Sequence, residues 1–388
     1  MPDLGDPPKL DRASGWRADG TREIAPGELE LLATGAWILG AGGGGSPYHA
    51  FLNAREQAGR GVRVTLLDPR HLDDDDLVAV VSNMGAPLVG QERLSDPAFA
   101  VKPLRLMERY LGRSFRAVMS LEIGGGNALQ PLLIAGETGL PVVDADCMGR
   151  AYPEAQMTTF AIGDLEMFPL TLADIRDNEV IVARAASWKW MERVSRAACT
   201  AVGSIAATCK APRTGREVKE WGVLHTVTQA IRLGRAVHRA RVLHGDPVAA
   251  AVQTGDGVRI LVGKVTDVVR RATEGFLRGA VRIAGLGEDV GSELAIDFQN
   301  EWTVARRDGI PVVTVPDIIA VLDTESGEAV GTETIRYGQR VTVIALPAPP
   351  LQTTPKGLDH VGPRAFGHDL DFVSPFAGRS DWAQREGP

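Results

Sequence analysis

The segments LVAVVSNMGAP (77–87) and FRAVMSLEIGGGN (115–127) decide the fold of this chain. Each begins with an almost continuous apolar run and ends in glycine and polar residues, which is typical of a strand buried on both faces. VRVTLLDP (62–69) and LPVVDADCMGR (140–150) follow the same pattern, with helix-forming segments between the strands. This alternation predicts an α/β domain built on a mostly parallel sheet.

The pattern changes after about residue 170. Short β-rich runs separated by glycine turns, such as VRILVGKVTDVVRR (258–271) and QRVTVIALP (339–347), predict a β-rich barrel or sandwich with inserted helices. A length of 388 residues also favours two domains. We therefore divide the chain into a mobile N-terminal arm (1–24), an α/β domain (25–170), a β-rich C-terminal domain (171–375) and a tail (376–388).

Composition and charge exclude several classes of function. The chain has 42 Lys and Arg against 49 Asp and Glu, a net charge of −7, so a non-specific nucleic-acid binder is not expected. No apolar stretch is long enough to cross a membrane, and the first residues lack the apolar core of a signal peptide. Three cysteines make no disulfide framework, which favours a cytoplasmic protein.

The glycine run GAGGGG (40–45) matches the dinucleotide-binding pattern G-x-G-x-x-G. The residues before it, 27–39, have helical spacing, whereas that motif requires a strand, so we expect no bound dinucleotide. Ser46-Pro47 then starts a helix, and the free backbone N–H groups form a cradle for an anion or polar substrate. A tight crossing of two helices is the alternative. The candidate substrate-binding residues here are Gly42, Gly43, Gly44 and Gly45.

Two further polar groups follow predicted strands. Glu122 is a carboxylate inside an apolar run, so it needs partners or a shifted pKa, and Asn127 could orient a carbonyl or amide. Asn300 and Glu301 follow a later strand and could reach the first domain across the interface, where sites often form. Helix capping by Glu122 and an ordinary turn at 300–301 are the structural alternatives.

The densest polar cluster is VVDADCMGRAYPEAQM (142–157). Asp144 and Asp146 are two residues apart, so on a continuing strand they project to one side and could share a proton or hold a divalent metal such as zinc. Glu154 is a further candidate acid or base. Arg150 could bind a substrate carboxylate or pair with one of these acids.

Neither thiol nor histidine chemistry has a strong signal. Cys147 could act as a nucleophile or a metal ligand, although a small buried apolar side chain is the commoner role of such a cysteine. The seven histidines are dispersed, with no H-E-x-x-H and no C-x-x-C motif. The sequence therefore leaves open whether a metal is bound.

Six motifs in order resemble the S-methyl thiohydantoin desulfurase family, a former domain family of unknown function associated with hydantoinase and oxoprolinase enzymes. They are GAGGGGSPYHA, SLEIGGGNALQP, DADCMGRAYPEAQM, IDFQNEWTVA, VPDIIAVLDTESGEAV and GPRAFGHDLDF. The resemblance covers about residues 25–375 and implies an α/β domain followed by a β-rich domain. It also implies hydrolysis of an S-methyl thioimidate carbon, which gives the hydantoin and a thiol.

These observations lead to one leading hypothesis and two alternatives. The leading hypothesis is a hydrolase for a cyclic amide or thioimidate, with Asp144, Asp146, Glu122 and Glu154 as acids and bases. The glycine loop, Asn127, Arg150, Asn300 and Glu301 would then bind the substrate. The alternatives are a non-catalytic partner of a hydantoinase- or oxoprolinase-type enzyme and a dinucleotide-binding oxidoreductase. A homo-oligomer is left open.

Overall fold

The computed structural model describes residues 15–85, 97–273 and 276–377. Residues 1–14 of the predicted arm and 378–388 of the predicted tail lie outside the described residues, as do residues 86–87 at the end of the segment 77–87. The structure describes residues 15–24 of the predicted arm. They are part of the fold, because Thr21–Glu23 pairs with Thr65–Leu67 in an antiparallel ladder.

The first part of the chain alternates strands and helices. Its strands are β1 (Thr21–Glu23), β2 (Thr65–Leu67), β3 (Leu77–Gly85), β4 (Ala117–Ser120), β5 (Val142–Val143), β6 (Ala145–Asp146), β7 (Leu170–Ala173), β8 (Glu179–Val182), β9 (Ile205–Cys209), β10 (Arg213–Thr214) and β11 (Val223–Leu224). Its helices are α1 (Glu28–Leu39), α2 (Tyr48–Gly59), α3 (Pro97–Leu111), α4 (Gln130–Thr138), α5 (Thr159–Ile162), α6 (Trp188–Ala201), α7 (Gly215–Trp221), α8 (Thr226–Val242) and α9 (Pro247–Thr254).

The first sheet has the order β1-β2-β5-β4-β3-β9-β7-β8, with β10 also pairing with β3. Its centre, β2-β5-β4-β3, is parallel, as predicted. The flanking strands are antiparallel, so the sheet is mixed rather than mostly parallel. The predicted α/β class is confirmed with that change. The carboxyl ends of β3 and β4 open onto neighbouring loops, which is where ligands bind in such sheets.

The two sheets divide the chain later than the predicted domain boundary at residue 170. β7, β8, β9 and β10 all follow or begin at that position, yet they extend the first sheet beside β3. A small ladder between β6 and β11 lies apart from it. The second sheet begins only at Val258. Edge strands of a mixed sheet and strands of a barrel share the same short apolar pattern, so the sequence pattern does not distinguish the two sheets.

The second part of the chain forms an antiparallel half-barrel. Its elements are β12 (Val258–Thr273), β13 (Phe276–Gly285), β14 (Glu293–Gln299), β15 (Glu301–Arg307), β16 (Ile310–Thr314), β17 (Ile318–Asp323), β18 (Arg340–Leu346) and α10 (Pro355–Val361). The strand order is β16-β15-β14-β13-β12-β18-β17. Register shifts in β12 and β15 mark bulges, which bend the strands and curve the sheet.

One strand of the half-barrel packs against both hydrophobic cores of the protein. In β17, Ile318, Ala320 and Leu322 pack in the cluster that contains α1, whereas the alternate residues Ile319 and Val321 face the interior of the half-barrel. Successive strand residues point to opposite faces, so an unbroken apolar run serves both cores. This junction fixes the relative position of the loops that line the candidate site.

Helix α1 precedes the glycine run, as predicted from its spacing, and it crosses α8 at close range. A Cβ on Gly35 would lie 1.8 Å from the Ala230 carbonyl oxygen, and one on Gly234 would lie 1.9 Å from that of Leu31. Only glycine permits this approach of two backbones. Within the described residues, no helix is long and apolar enough to span a membrane.

Candidate functional site

Two glycine loops stack backbone on backbone beside the carboxyl end of β4. Gly44 has a φ of +72°, and a Cβ there would lie 2.4 Å from the Gly124 carbonyl oxygen. The Gly126 amide donates to the carbonyls of Gly44 and Gly45, each at 3.0 Å. The glycines therefore allow two loops to meet rather than two helices, and only side-chain-free residues fit between them.

A cleft of about 500 Å³ lies against these loops, where the first sheet faces the half-barrel. The polar residues that line it come from loops, strands and helices of both units. They are Ser46, His49, Ser82, Asn83, Glu122, Asn127, Glu154, Glu192, Arg196, Lys210, Asn300, Glu301, Glu333 and Thr334. Gly43, Gly44 and Gly45 also line it. Of the predicted site residues, Asp144, Asp146, Arg150 and Gly42 do not.

Glu122 follows β4 and is only 5% exposed. Its Oε1 accepts a hydrogen bond from Asn127 Nδ2 at 2.5 Å, and its Oε2 accepts one from the Tyr152 amide at 3.1 Å. Burial raises the pKa of Glu122 to about 7, against the lowering effect of these donors and of Lys210. Glu122 therefore exchanges a proton near neutral pH, as a general base or acid must.

Asn127 connects Glu122 to the next strand. Its Oδ1 accepts from the Asn83 amide at 2.8 Å, so its Nδ2 necessarily points at Glu122. Asn83 in turn donates from Nδ2 to Gln130 at 3.1 Å. That Asn127 orients a carbonyl or amide of the substrate stays a prediction. Its observed contacts orient the carboxylate of Glu122.

Glu301 enters the cleft from the start of β15 and is 2% exposed. Its carboxylate lies directly over Gly43, where a Cβ would come within 2.0 Å of Oε1. Its Oε2 is buried without a hydrogen-bond partner in the described residues. Burial first, and then the charge of Glu122, raise the pKa of Glu301 well above its usual range. The raised pKa favours the protonated form of Glu301, which can donate a hydrogen bond.

Lys210 is the site residue that the sequence analysis missed. It follows β9 immediately, lines the cleft and is 8% exposed. Its amide donates to the Val80 carbonyl at 2.7 Å, which fixes the residue beside β3. Burial lowers the pKa of Lys210, and its charge interacts with Glu192 and Glu122. The sequence feature that could have identified Lys210 is its position directly after the apolar run IAATC (205–209).

An ion pair on α6 closes the outer side of the cleft. Glu192 Oε1 accepts from Arg196 at 2.5 Å, and its Oε2 accepts from the Ala155 amide at 3.2 Å. Arg196 also donates to the Pro153 carbonyl at 3.1 Å. Glu154 lines the same side and accepts a hydrogen bond from Gln156. These contacts hold the 153–155 loop against α6.

Asp144 caps a helix rather than lining the cleft. Its side chain accepts from the amide and hydroxyl of Thr228 at 3.0 Å and 2.5 Å, at the first turn of α8. The residue before that helix, His225, supplies no side-chain cap. A carboxylate at a helix N-terminus satisfies free amides and complements the helix dipole. The geometry gives Asp144 a structural contact in place of the expected catalytic one.

We expect Asp144→Asn to lower stability without changing turnover. The amide loses the charge at the start of α8, which typically costs about 0.3–1 kcal/mol of the free energy of unfolding. Thermal melting and the rate per folded molecule, measured on one sample, check this. A rate loss that exceeds the loss of folded protein would restore Asp144 to the catalytic group.

Asp146 joins two loops behind the cleft. It is fully buried, and its carboxylate accepts from the amides of Ile123, Met148 and Gly149 at 2.7–3.2 Å. Burial raises the pKa of Asp146 to about 7. Because it holds the residue next to Glu122, Asp146 positions that side chain. Asp144 and Asp146 thus contact different elements. Their carboxylates do not share a face on which they could hold the predicted proton or metal ion together.

Arg150 ties the two units together. It is fully buried and donates to the carbonyls of Pro316 at 3.2 Å, Asp317 at 2.8 Å and Trp302 at 3.4 Å. Its guanidinium also lies 4.7 Å from the ring centroid of Tyr152. These contacts occupy Arg150 with carbonyls of the half-barrel, so it does not meet a substrate carboxylate in the cleft.

The other predicted residues have mainly structural contacts. Asn300 has a φ of +59° in the turn between β14 and β15, and its Oδ1 accepts from the Leu277 amide at 2.8 Å. Gly42 lies against Trp302, where a Cβ would come within 2.4 Å of Nε1. Cys147 is buried, and burial raises the pKa of its thiol well above the usual range. That environment favours a packed thiol over a nucleophile.

Metal binding was left open by the sequence. Among the residues that the structure describes, no group of three or more His, Cys, Asp or Glu side chains is arranged to hold a metal ion.

A comparison with solved structures bears on the fold. The crystal structure of a protein from Chromobacterium violaceum, determined by the Northeast Structural Genomics Consortium, matches with a TM-score of 0.74 and 22% identity. The match covers 90% of this chain and 99% of that one, and at this identity it shows the fold alone. No curated protein matches the chain.

The fold and cleft define a class of two-domain proteins in which a mixed α/β sheet and an antiparallel half-barrel enclose a polar site. The family described as S-Me-THD-like, N-terminal domain, matches residues 27–184, and the S-Me-THD-like C-terminal domain matches residues 186–375. The chain therefore belongs to the S-methyl thiohydantoin desulfurase family, as its motifs indicated.

Proposed function

We propose that this protein hydrolyses the exocyclic carbon–sulfur bond of an S-methyl thiohydantoin. Water adds to the thioimidate carbon, the bond to sulfur breaks, and the products are a hydantoin and methanethiol. The family to which the chain belongs supports this substrate class. The observation that carries the proposal is that one cleft brings together the buried side chains of Glu122, Glu301 and Lys210.

Glu122 is the general base in this proposal. Hydrolysis requires removal of a proton from the attacking water, and a carboxylate with a pKa of about 7 does this best near neutral pH. Asn127 and the Tyr152 amide hold the two oxygens of Glu122 in place. The base is therefore positioned before substrate binds, which avoids reorganisation during the reaction.

Glu301 and the glycine loop bind the ring. A protonated Glu301 donates a hydrogen bond to the ring nitrogen or carbonyl, where negative charge develops as water adds. Gly43, beneath it, has no side chain and so lets the Glu301 carboxylate lie close to the loop backbone. The predicted substrate-binding role of the glycines thus stays part of the proposal, through their backbone and their lack of side chains.

Lys210 protonates the departing sulfur. Its ammonium group lies in the same cleft, and burial lowers its pKa, so it gives up a proton more readily than a surface lysine. Glu122 takes one proton from the water and Lys210 gives one to the thiolate, while the second water proton moves from the added oxygen to the ring nitrogen, so the protons balance. Exchange between these two groups and solvent then restores the starting protonation states.

The direct test uses purified protein and S-methyl thiohydantoins derived from several amino acids. We expect release of methanethiol, measured with a thiol reagent, together with formation of one hydantoin per thiol. A hydantoin, incubated in parallel, should release no thiol and remain unchanged. Absence of thiol release from every S-methyl thiohydantoin tested, with folded protein, would contradict the proposed function.

We expect the rate to rise with pH through the pKa of Glu122. Below about pH 7 the carboxyl is protonated and cannot act as a base, so kcat/KM falls as the pH is lowered. At high pH the rate falls again as Lys210 loses its proton, below the usual lysine range. Initial rates between about pH 5 and pH 9, with circular dichroism at each pH, check this profile. A rate independent of pH across neutrality would exclude Glu122 as the base.

A further inference from the structure

A small apolar recess opens behind Lys210. It measures about 20 Å³, slightly more than the roughly 10–15 Å³ that one water requires. Most of its walls are aliphatic, aromatic or thioether side chains: Val80, Leu121, Phe160, Met167, Leu170, Trp188 and Met191. A space of this size and polarity accommodates one small apolar group.

The recess borders the main cleft. Leu121, Ala155 and Lys210 line both spaces, so a ligand in the cleft can extend a substituent past the Lys210 amine into the recess. Glu122 follows Leu121 directly in the chain, which places the proposed base beside this opening. The recess therefore adjoins the proposed reacting groups.

Two cations lie at the recess wall. Lys210 is one, and the nearly buried Arg213 is the other. The Arg213 guanidinium lies 4.7 Å from the ring centroid of Phe160 and donates to the Glu166 carbonyl at 2.5 Å. Its Nε has no hydrogen-bond partner within the described residues. Negative charge that forms on an atom at this position is stabilised by both cations.

We propose that the recess holds the methyl group of the substrate's S-methyl substituent and restricts the leaving group to methanethiol. This inference rests on the proposed function. The methyl group leaves water for an apolar space, and the sulfur then lies at the mouth, next to Lys210, which lines both spaces. A longer S-alkyl chain overfills the recess, which forces close-packed side chains to move.

The experiment compares S-methyl with S-ethyl and S-propyl derivatives of the same thiohydantoin. We expect kcat/KM to fall by about 10–200-fold from S-methyl to S-ethyl, the usual effect of one methylene in a fitted apolar pocket. The S-propyl derivative should be worse still. Equal rates for S-methyl and S-ethyl would overturn the inference and leave the proposed function intact.

Variants of residues that line the recess test whether the recess causes the preference for S-methyl over S-ethyl. Met167→Ala and Met191→Ala enlarge the recess and should raise the S-ethyl to S-methyl rate ratio by about tenfold or more. Met84→Ala is the matched control, because Met84 packs in the same apolar cluster but lines only the main cleft. It should leave the ratio unchanged. Met167 is only partly buried, so Met167→Ala remains informative if Met191→Ala fails to fold.

A binding measurement tests this inference independently of the reaction. Calorimetry with Glu122→Gln protein measures affinity for the S-methyl and S-ethyl compounds without turnover. A preference of about tenfold or more for S-methyl supports the recess even if wild-type protein releases no thiol. Equal affinities, together with equal rates where there is turnover, refute it.

Discussion

Replacing Glu122 with glutamine is expected to reduce methanethiol release by about 10²–10⁴-fold, the usual cost of losing a general base. Glutamine keeps the shape of the side chain but cannot accept a proton from water. The rate should be compared with that of wild-type protein at a pH above 7, where Glu122 is ionised. Wild-type turnover in this variant would remove Glu122 from the mechanism.

Stability measurements distinguish this loss from unfolding. The folded pKa of Glu122, about 7, exceeds the usual glutamate value of 4.5, so its contribution to stability is present below about pH 4.5 and is lost as the pH rises to about 7. Glutamine does not ionise, so the decline in melting temperature over this range should be smaller in Glu122→Gln. Asp144→Asn serves as the matched control, with reduced stability and unchanged turnover.

Replacing Lys210 with methionine is expected to lower the rate by at least about 10²-fold. Methionine has a similar length and fills the same space, but it cannot donate a proton to the departing sulfur. Because burial already disfavours the charge of Lys210, the apolar replacement should not lower the melting temperature. The residual activity should also lose its decline at high pH, a change that a merely structural lysine would not produce.

The control for this variant is Lys189→Met. Lys189 lies exposed on α6 and does not line the main cleft or the recess. The same substitution there should leave both the rate and the pH profile unchanged. Equal losses in the two variants would show a general effect of charge, and a fully active Lys210→Met protein would remove proton donation by Lys210 from the proposal.

Some roles proposed from the sequence stay predictions. A cyclic amide or thioimidate substrate, a hydantoinase- or oxoprolinase-type partner, a homo-oligomer, a divalent metal and the lack of a dinucleotide are all properties that only binding and activity measurements can establish. The structure changes which residues those measurements should target. The predicted residues that line the cleft are Gly43, Gly44, Gly45, Glu122, Asn127, Glu154, Asn300 and Glu301, and Lys210 joins them.

The sequence by itself determined the local elements and the family. Apolar runs gave the strands around Leu77–Gly85 and Ala117–Ser120, and helical spacing gave Glu28–Leu39 before the glycine run. Glu122 was identifiable because a carboxylate at the end of an apolar strand must be buried with partners. These inferences depend only on neighbouring residues, so they hold without knowledge of the tertiary structure.

Only the tertiary structure decided which polar side chains share the cleft. Asp144 and Asp146 are neighbours in sequence, but α8 packs against the first and the glycine loops against the second, and each carboxylate points to its own donors. Lys210 reaches the site because β9 pairs with β3, a pairing between distant segments that no local pattern encodes. Long-range strand pairing and the direction of buried side chains depend on the whole packed core, and the chemistry of this site depends on them.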